Sequence, residues 1–342
     1  MEGDARRHQR LLARAQALRP DRPSRAAHHA PAPGAGVSPR RRPRTGRGLI
    51  GLTPVHLSVV IATYRRIEAL ERTLGHLAAL GLPGDVRGCD ATSEVIVVDN
   101  GSGDNSPDRL RERFPLVRVI ELQSNLGVDA FNRGAAAASG DVLLILDDDA
   151  WPDQHALSEA LAALAADPSL AAISLVPVHP DSKRPEWSFV RQRVDSFGFM
   201  GCANLVRTSA WRAAGGYEPA YFLYRNDTDL ALTLGALGLN VRCDPAWRAW
   251  HDSQFTAAKS ERWLNLATRN WLWLCRRHAR GLHKPLGIIG GAARAVAHAG
   301  LRPRRLAQVA RGVWAGLLTP APALKVKVDG APFRRHMSQR RG

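Results

Sequence analysis

The chain has 342 residues, of which 45% are hydrophobic, so it is long enough to bury one large hydrophobic core or two smaller ones. Its net charge of +17 is unevenly distributed: residues 1–54 carry +9, residues 276–342 carry +14 and residues 55–275 carry −6. Four scattered cysteines without CxxC spacing argue against a zinc site or a disulfide framework, and the lack of any apolar run of about 18 residues argues against a membrane-spanning helix.

The first 54 residues are rich in Arg, Pro, Ala and His and contain few aromatic or β-branched residues. A segment of this composition cannot bury enough apolar surface to fold, so we predict that residues 1–54 are disordered and basic. No apolar stretch follows the positive charges, so we do not expect a secretory signal peptide. Two interpretations stay open: a tether to an anionic membrane or nucleic acid, and a spacer or upstream sequence without a function of its own.

From residue 57 onwards, apolar β-branched runs alternate with amphipathic segments. The pattern predicts strands at 57–63, 94–99, 116–122 and 142–146, and helices at 67–80, 106–113 and 129–139. Unbroken apolar strands that alternate with helices are typical of an α/β fold with a Rossmann-like, mostly parallel sheet and helices on both faces. Neither GxGxxG after the first strand nor GxxxxGK(S/T) is present, which argues against NAD enzymes and P-loop ATPases.

Three consecutive carboxylates, Asp147, Asp148 and Asp149, directly follow the apolar run 142–146. Burying such a cluster would cost several kcal/mol unless a divalent cation and a phosphorylated ligand neutralise it. Ligands of parallel α/β sheets bind at the carboxyl ends of the strands, where the segments 63–65 and 99–100 also fall. The sequence therefore predicts a metal and phosphate site at this edge of the sheet, with a solvated acidic turn as the alternative.

The alternation becomes less regular after residue 170. A strand is predicted at 171–178 and a short helix at 207–214, and Asp227 and Asp229 open a helix that runs to about Leu237. Carboxylates in a first helical turn are favoured by the helix dipole, so these two residues could be structural. The aromatic residues that precede them favour the rim of a pocket instead.

The C-terminal third is basic and rich in apolar residues. A helix predicted at 263–278 has one apolar face, and a second face carries aromatic and basic residues: Arg269, Trp273, Arg276, Arg277 and Arg280. The second face suits either a membrane interface or a packed helix with solvated arginines, and both interpretations stay open. We expect interfacial amphipathic helices at 286–318 and a frayed basic tail at 325–342.

Three segments, which follow one another in this order along the chain, carry a resemblance to a known family: ATYR at 62–65, VVDNGS at 97–102, and 125–149. The last segment begins with NLG and ends in the three carboxylates. They resemble the inverting glycosyltransferases of family 2, which have the GT-A fold. The closest subgroup is the rhamnosyl- and galactofuranosyl-type transferases of cell-surface glycans. GGY at 215–217, NDTDL at 226–230 and His251 are similar to the acceptor half of the same family.

The resemblance covers residues 57–278 and implies a domain organisation. A GT-A domain would occupy 55–255, with a nucleotide-sugar half at 55–150 and an acceptor half at 151–255. A helical extension at 256–324, which could associate with a membrane, and the basic tail would follow.

The resemblance also implies a nucleotide-sugar site. Its residues would lie at the sheet edge and in the segment after the third strand: Thr63, Arg65, Asp99, Asn125, Arg133, Asp147 and Asp148. Asp99 would accept a hydrogen bond from the base, and Arg133 would lie near the ribose or diphosphate. Each of these two roles has an alternative: Asp99 could cap a turn, and Arg133 could be a solvated charge on a helix.

Two further roles follow from the resemblance. Asp149 would bind Mg²⁺ or Mn²⁺ directly, and Asp147 and His251 would complete the metal site, although His251 could instead be a packed histidine. Asp227 matches the catalytic base of an inverting single displacement, in which it removes the proton of the attacking hydroxyl. This chain has Asn226 where some members carry Glu before that base.

We therefore expect a metal-dependent inverting glycosyltransferase that moves a sugar from a nucleotide-diphosphate sugar to a hydroxyl of a glycan or lipid-linked acceptor. It would be cytoplasmic, or peripheral at the inner membrane face. An anionic membrane surface is a further expected partner, whereas nucleic acid is not.

Three alternatives stay open. A nucleotidyltransferase shares the sheet and the acidic strand end, but it would normally have a glycine- and lysine-rich loop where this chain has 63–66. A non-catalytic protein could bind nucleic acid or another anionic surface through the basic ends, although the acidic body argues against it. A degenerate transferase that only binds the nucleotide sugar is the third, because of Asn226.

Overall fold

A computed structural model describes residues 55–198, 201–253, 260–324 and 326–339. The segment 1–54, which we predict to be disordered, lies outside the described residues, as does the end of the basic tail at 340–342. Within the described part, nine strands form one sheet. In chain order these are β1 (Val55–Thr63), β2 (Gly84–Asp85), β3 (Ala91–Asp99), β4 (Arg118–Glu121), β5 (Val142–Asp147), β6 (Ala150–Pro152), β7 (Leu170–Val178), β8 (Ala203–Arg207) and β9 (Asn240–His251).

Helices cover both faces of the sheet and continue after it. In chain order they are α1 (Ile67–Ala79), α2 (Ser106–Arg113), α3 (Asp129–Ala137), α4 (Gln154–Ala166), α5 (Thr208–Ala214), α6 (Asn226–Ala236), α7 (Glu261–His278), α8 (His283–Ala299), α9 (Pro303–Leu318) and α10 (Ala331–Gln339). Neighbouring residues of β1 point into separate cores, because Val59 packs in the cluster that contains α1 and Val60 packs in the cluster that contains α3. Gly134 of α3 permits this packing, since a Cβ there would lie 2.3 Å from Val60.

The first half of the sheet is parallel. Strand β1 lies between β3 and β5 and pairs in parallel with both of them. The register places Thr63 beside Asp99 and Ala62 beside Asp147, so the three strands end at the same edge. The predicted α/β fold is confirmed, and the buried β-branched strands explain why it forms.

The second half of the sheet joins the first through β8, which is antiparallel to both β5 and β7. Strand β9 is parallel to β7, and its last residues pair with the short strand β6. Ala150 of β6 is the pairing partner of His251 of β9. This long-range pairing brings His251 next to the carboxylates that precede β6.

Helix α7 packs against the domain on most of its surface. Trp271, Leu272, Leu274 and even Arg277 are buried, so the face that we considered for a membrane interface is largely enclosed. Of our two interpretations of 263–278, the packed helix is the one observed, although its arginines are not all solvated. Helices α8 and α9 pack on α7. No helix in the described part of the chain is long and apolar enough to cross a membrane.

The end of the chain differs from the frayed tail that the sequence predicts. Residues 331–339 form α10, and Phe333 is completely buried in the cluster that contains α7. Three buried residues, Pro332, Phe333 and His336, lie among the basic ones, and they hold this helix in place. The prediction failed because a few isolated core contacts are too short a signal to stand out in a basic segment.

Candidate functional site

The ends of β1, β3 and β5 open onto a cleft with a volume of about 390 Å³. Its lining includes six of the residues that we predicted for the nucleotide sugar or the metal: Thr63, Asn125, Asp147, Asp148, Asp149 and His251. Phe222, Leu223 and Tyr224 form the opposite wall, just before α6. The cleft therefore lies between the parallel strand ends and the loop that leads to Asp227.

Asp148 and Asp149 are both buried, and Asp148 contacts other protein groups with both of its oxygens. Its Oδ2 accepts a hydrogen bond of 2.8 Å from the Thr63 hydroxyl, and its Oδ1 lies 2.9 Å from Arg66. Burial raises the pKa of Asp148 to about 6, even though Arg66 opposes the shift. Asp148 therefore ties β1 to the cleft floor and leaves the outer two carboxylates to face a ligand.

Arg66 is a cleft residue that the sequence analysis missed. Its guanidinium bridges Asp148 and Asp149, at 2.9 Å and 2.6 Å. We predicted Arg65 for the cleft, but Arg65 is exposed and donates from Nε to the Ser102 carbonyl. The backbone of Arg65 has a φ of +56°, and this left-handed turn directs Arg66, instead of its neighbour, to the acidic run.

Asp147, Asp149 and His251 form a candidate metal centre. One ligand atom from each lies within 4.8 Å of the others, and His251 Nε2 is 3.3 Å from Asp149 Oδ1. Two carboxylates and an imidazole are a donor set that suits Mn²⁺, and the carboxylates also suit Mg²⁺. The residues present therefore fit the divalent cation that the sequence predicts.

Glu186 orients the histidine of this centre. Its Oε1 lies 2.7 Å from His251 Nδ1 and also accepts a 2.7 Å hydrogen bond from Ser253. A carboxylate behind a ligating histidine sets the tautomer and the orientation of the ring. Burial disfavours the charged ring, but hydrogen bonds to Asp149 and Glu186 raise the pKa of His251 to about 10.

Of the two carboxylates in the centre, that of Asp147 has the pKa furthest from its usual value. About half of its side-chain surface, 49%, is exposed to the cleft. Enclosure by the cleft walls and the nearby carboxylates Asp149, Asp227 and Asp148 nevertheless raises the pKa of Asp147 to about 8, against the effect of His251. The ionised carboxylates of such a cluster repel one another, and a bound cation would offset this repulsion.

Besides Arg65, two predicted nucleotide contacts lie outside the cleft lining. Asp99 is buried, and both of its oxygens accept hydrogen bonds from Ser102, so its contacts are those of the turn cap that we named as the alternative. Arg133 is exposed and pairs with Asp129 one helical turn away, at 3.1 Å. Asn100, which follows Asp99, lines the cleft and is held by hydrogen bonds to the backbone of Leu126 and Gly127.

Asp227 lies in a second cavity of about 240 Å³, which shares Tyr224 and His251 with the cleft. The Tyr217 hydroxyl donates a 2.5 Å hydrogen bond to Asp227 Oδ1, which leaves Oδ2 for another partner. Burial raises the pKa of Asp227 to about 6, and the bond from Tyr217 limits the shift. A carboxylate of this kind is ionised at neutral pH and can still accept a proton.

Asp229 has structural contacts, as in the alternative that we gave for it. Its Oδ1 is 2.8 Å from His278 Nε2 and 3.0 Å from Arg277 Nε, and it accepts a bond from the Tyr221 hydroxyl. The buried amide of Asn270 lies within hydrogen-bond distance of three carbonyls of the loop 221–224. Helix α7 therefore holds both α6 and the loop in front of it.

The sequence analysis missed Arg66, Glu186 and Tyr217. Arg66 had a usable signal, because it adjoins the predicted Arg65. Tyr217 lies within the GGY segment that we compared with the acceptor half, but we assigned it no role. Glu186 had no local signal, since it is brought to His251 by the bond of its own N–H to the Pro177 carbonyl and by the pairing of β7 with β9.

Comparisons with known proteins agree with this geometry. The family model "Glycosyl transferase family 2" matches residues 58–218. An N-acetylglucosaminyl-diphospho-decaprenol L-rhamnosyltransferase of Mycobacterium tuberculosis is 26% identical over 276 residues, which cover 67% of this chain and 87% of the relative.

Two solved structures share the fold. A mannosyltransferase from Pyrobaculum calidifontis in complex with GDP-Man and Mn²⁺ has a TM-score of 0.52 and 20% identity, with 84% of each chain covered. Staphylococcus aureus TarS in complex with UDP-GlcNAc has a TM-score of 0.56 and 14% identity, with 75% of this chain and 79% of that chain covered. The enzyme class is that of the glycosyltransferases, so the nucleotidyltransferase and the nucleic-acid-binding alternatives are not supported.

Proposed function

We propose that this chain, which belongs to glycosyltransferase family 2, moves a sugar from a nucleotide-diphosphate donor to a hydroxyl of a lipid-linked acceptor, with inversion and with a divalent cation. The observation that carries the proposal is the arrangement of Asp147, Asp149 and His251 in one cavity beside Asp227 in the next. The two cavities share part of their walls, so a donor and an acceptor can meet between them.

The donor would bind in the cleft at the strand ends. Thr63, Asn125 and Asn100 line this cleft and would contact the nucleoside, and Asp147 and Asp149 line it too. A cation held by Asp147, Asp149 and His251 would offset the charge that develops on the departing nucleoside diphosphate. Solved relatives of the same fold contain GDP-Man with Mn²⁺ and UDP-GlcNAc, which supports this class of donor.

Asp227 would act on the acceptor hydroxyl. Its free oxygen accepts the proton while the hydroxyl oxygen attacks the anomeric carbon, and the bond from that carbon to the diphosphate oxygen breaks. General-base assistance of this kind is worth about 10²–10⁴-fold in rate. Tyr217 holds the other oxygen of the base and keeps its pKa from rising further. A single displacement of this kind needs no second carboxylate as a nucleophile, which agrees with the anchoring contacts of Asp229.

A lipid-linked acceptor is supported by an exposed apolar surface on α8, α9 and the residues beside them. The large side chains of this surface are between 46% and 95% exposed: Leu282, Leu286, Ile289, Val296, Leu301, Trp314, Leu317 and Leu318. No acidic residue occurs between 276 and 328, whereas this region contains many arginines. Apolar side chains among cations suit the interface of an anionic membrane, where a lipid-linked acceptor would be found.

The experiment that tests the donor site is a thermal-shift comparison of UDP-, dTDP- and GDP-sugars, with and without Mn²⁺. One nucleotide should stabilise the wild type only in the presence of metal, by about 2.7 kcal/mol at a hundredfold excess over Kd. Asp149→Ala should lose this stabilisation, and Asp141→Ala, a change at an exposed residue before β5, should keep it. Equal stabilisation of Asp149→Ala, or no shift of the wild type with any nucleotide sugar, would contradict the proposal.

A further inference from the structure

Arg225 lies at the boundary between two cavities. It lines the acceptor cavity together with Asp227, and it also lines a narrow cleft formed by α7 and α8. Its guanidinium lies 5.4 Å from the centre of the Trp271 ring, and Arg294 of α8 lines the same narrow cleft. Arg225 therefore lines the cavity of the proposed base, and the narrow cleft connects it to Arg294.

The charge of Arg225 has no acidic counterpart in the part of the chain that the structure describes. Its Nε is buried and has no hydrogen-bond partner there. Burial and the neighbouring charge of Arg294 lower the pKa of Arg225 to about 10, so it is protonated at neutral pH. Two other enclosed arginines each have two acidic partners. Arg277 pairs with Glu218 and Asp229, and Arg242 pairs with Asp167 and Asp195.

An enclosed arginine beside a second arginine is costly unless an anion accompanies it. The planar guanidinium can offer two parallel N–H donors, which match the oxygens of a phosphate group. The position of Arg225 two residues before Asp227 restricts which anion this could be. A phosphate bound there would belong to a molecule whose hydroxyl reaches the base.

We propose that Arg225 and Arg294 bind the phosphate or diphosphate group that links the acceptor sugar to its lipid. This inference rests on the proposed function and names the feature by which the acceptor is recognised. The acceptor hydroxyl lies at Asp227, its phosphate lies between the two arginines, and its lipid leaves along α8. That helix also carries Leu286, Ile289 and Val296 of the exposed apolar surface.

The test uses calorimetric titration of the full chain in EDTA with geranyl diphosphate and, separately, with inorganic pyrophosphate. Metal-free conditions keep diphosphates out of the donor cleft, because its carboxylates repel anions. The wild type should bind geranyl diphosphate more tightly than pyrophosphate. Arg225→Gln and Arg294→Gln should each weaken binding of geranyl diphosphate by about tenfold or more.

Two control variants separate charge from structure. Arg225→Lys keeps the charge and should retain more of the affinity than Arg225→Gln, and Arg304→Gln, an exposed change on α9, should leave it unchanged. Thermal melting of each variant checks that it is folded. Wild-type affinity in folded Arg225→Gln and Arg294→Gln, or no binding by the wild type, would overturn the inference.

The comparison of the two probes identifies the source of the phosphate. Equal affinity for geranyl diphosphate and pyrophosphate would point to a free anion and would overturn the assignment to a lipid-linked acceptor. A parallel titration with nucleotide sugar and Mn²⁺ tests the proposed function by itself. Failure of that titration alone would remove the transferase proposal, whereas failure of the diphosphate titration alone would remove only this one.

Discussion

The donor cleft and the acceptor cavity share Tyr224 and His251, but their arginines differ in their partners. The donor cleft holds three adjacent carboxylates, two of which pair with Arg66 while one also lies next to His251. The acceptor cavity is lined by Asp227, Glu186 and Arg225, and Arg225 has no paired carboxylate among the described residues. Under our proposals, the donor cleft would take a cation, and Arg225 would take an anion beside the base.

Under these proposals, two substrates that both contain phosphate would be bound in different ways. The donor's diphosphate would be attracted through a metal, which the carboxylates of the cleft would hold. The acceptor's phosphate would be attracted directly by arginine. A phosphate group would then have a different partner on each side, which helps to keep the two substrates in their own cavities.

The largest expected effect comes from the base that lies between the two sides. Asp227→Asn removes the proton acceptor but keeps the shape, so the rate of transfer should fall by about 10²–10⁴-fold. Binding of the nucleotide sugar, measured by calorimetry, should stay within about twofold of the wild type. Loss of donor binding as well as turnover in this variant would indicate that Asp227 belongs to the donor site.

The next effect concerns the anchor of the acceptor side. Asp229→Asn breaks a buried ion pair with Arg277 and His278, so it should lower the free energy of unfolding by about 3 kcal/mol. Urea titration followed by circular dichroism measures this, with the exposed Asp181→Asn as the control. Unchanged stability would show that α7 does not hold α6 through this contact.

Glu186→Gln tests the orientation of the histidine on the donor side. Without the carboxylate behind it, His251 should bind metal less well, and the affinity for Mn²⁺ should fall by about 10–100-fold. Electron paramagnetic resonance of free Mn²⁺ gives the affinity without any turnover. Glu112→Gln, an exposed change on α2, provides the matched control, and an equal affinity in both variants would exclude a role for Glu186.

The pH dependence of transfer should report the base. The pKa of Asp227 is raised to about 6, so the carboxylate is ionised above this pH and becomes protonated below it. A protonated base cannot accept the hydroxyl proton, and kcat should therefore fall about tenfold per pH unit as the pH drops below 6. Asp227→Asn should lose this acidic limb of the profile, and persistence of the limb in the variant would assign it to another group.

The smallest expected effect concerns Arg66, which is about half exposed. Its removal in Arg66→Gln takes one positive charge away from Asp148 and Asp149, so Mn²⁺ should bind about two- to fivefold more tightly in the absence of nucleotide. Arg87→Gln, at an exposed position before β3, controls for the change in net charge. Weaker Mn²⁺ binding in Arg66→Gln would mean that Arg66 organises the cation site instead of competing with the cation.

Much of the donor side was predictable from the sequence because its parts are local. Each strand of the parallel half is a continuous apolar run, and residues that follow such strands must meet at one edge of the sheet. Thr63, Asn125 and the run from Asp147 to Asp149 line the cleft for this reason. Two residues predicted for the same edge, Arg65 and Asp99, have other contacts, which depend on a left-handed backbone and a side-chain cap and leave no periodic pattern.

Less of the acceptor side could be predicted from the sequence. The sequence indicated that an acidic pair begins α6, that aromatic residues precede it, and that the C-terminal region is basic and apolar. The tertiary contacts place Glu186 behind His251, enclose Arg277 of α7 beside two carboxylates, leave Arg225 without an acidic partner among the described residues, and expose apolar side chains on α8 and α9. These features come from contacts between residues far apart in the chain, and a local pattern records the type of a side chain but not which distant group will neutralise it.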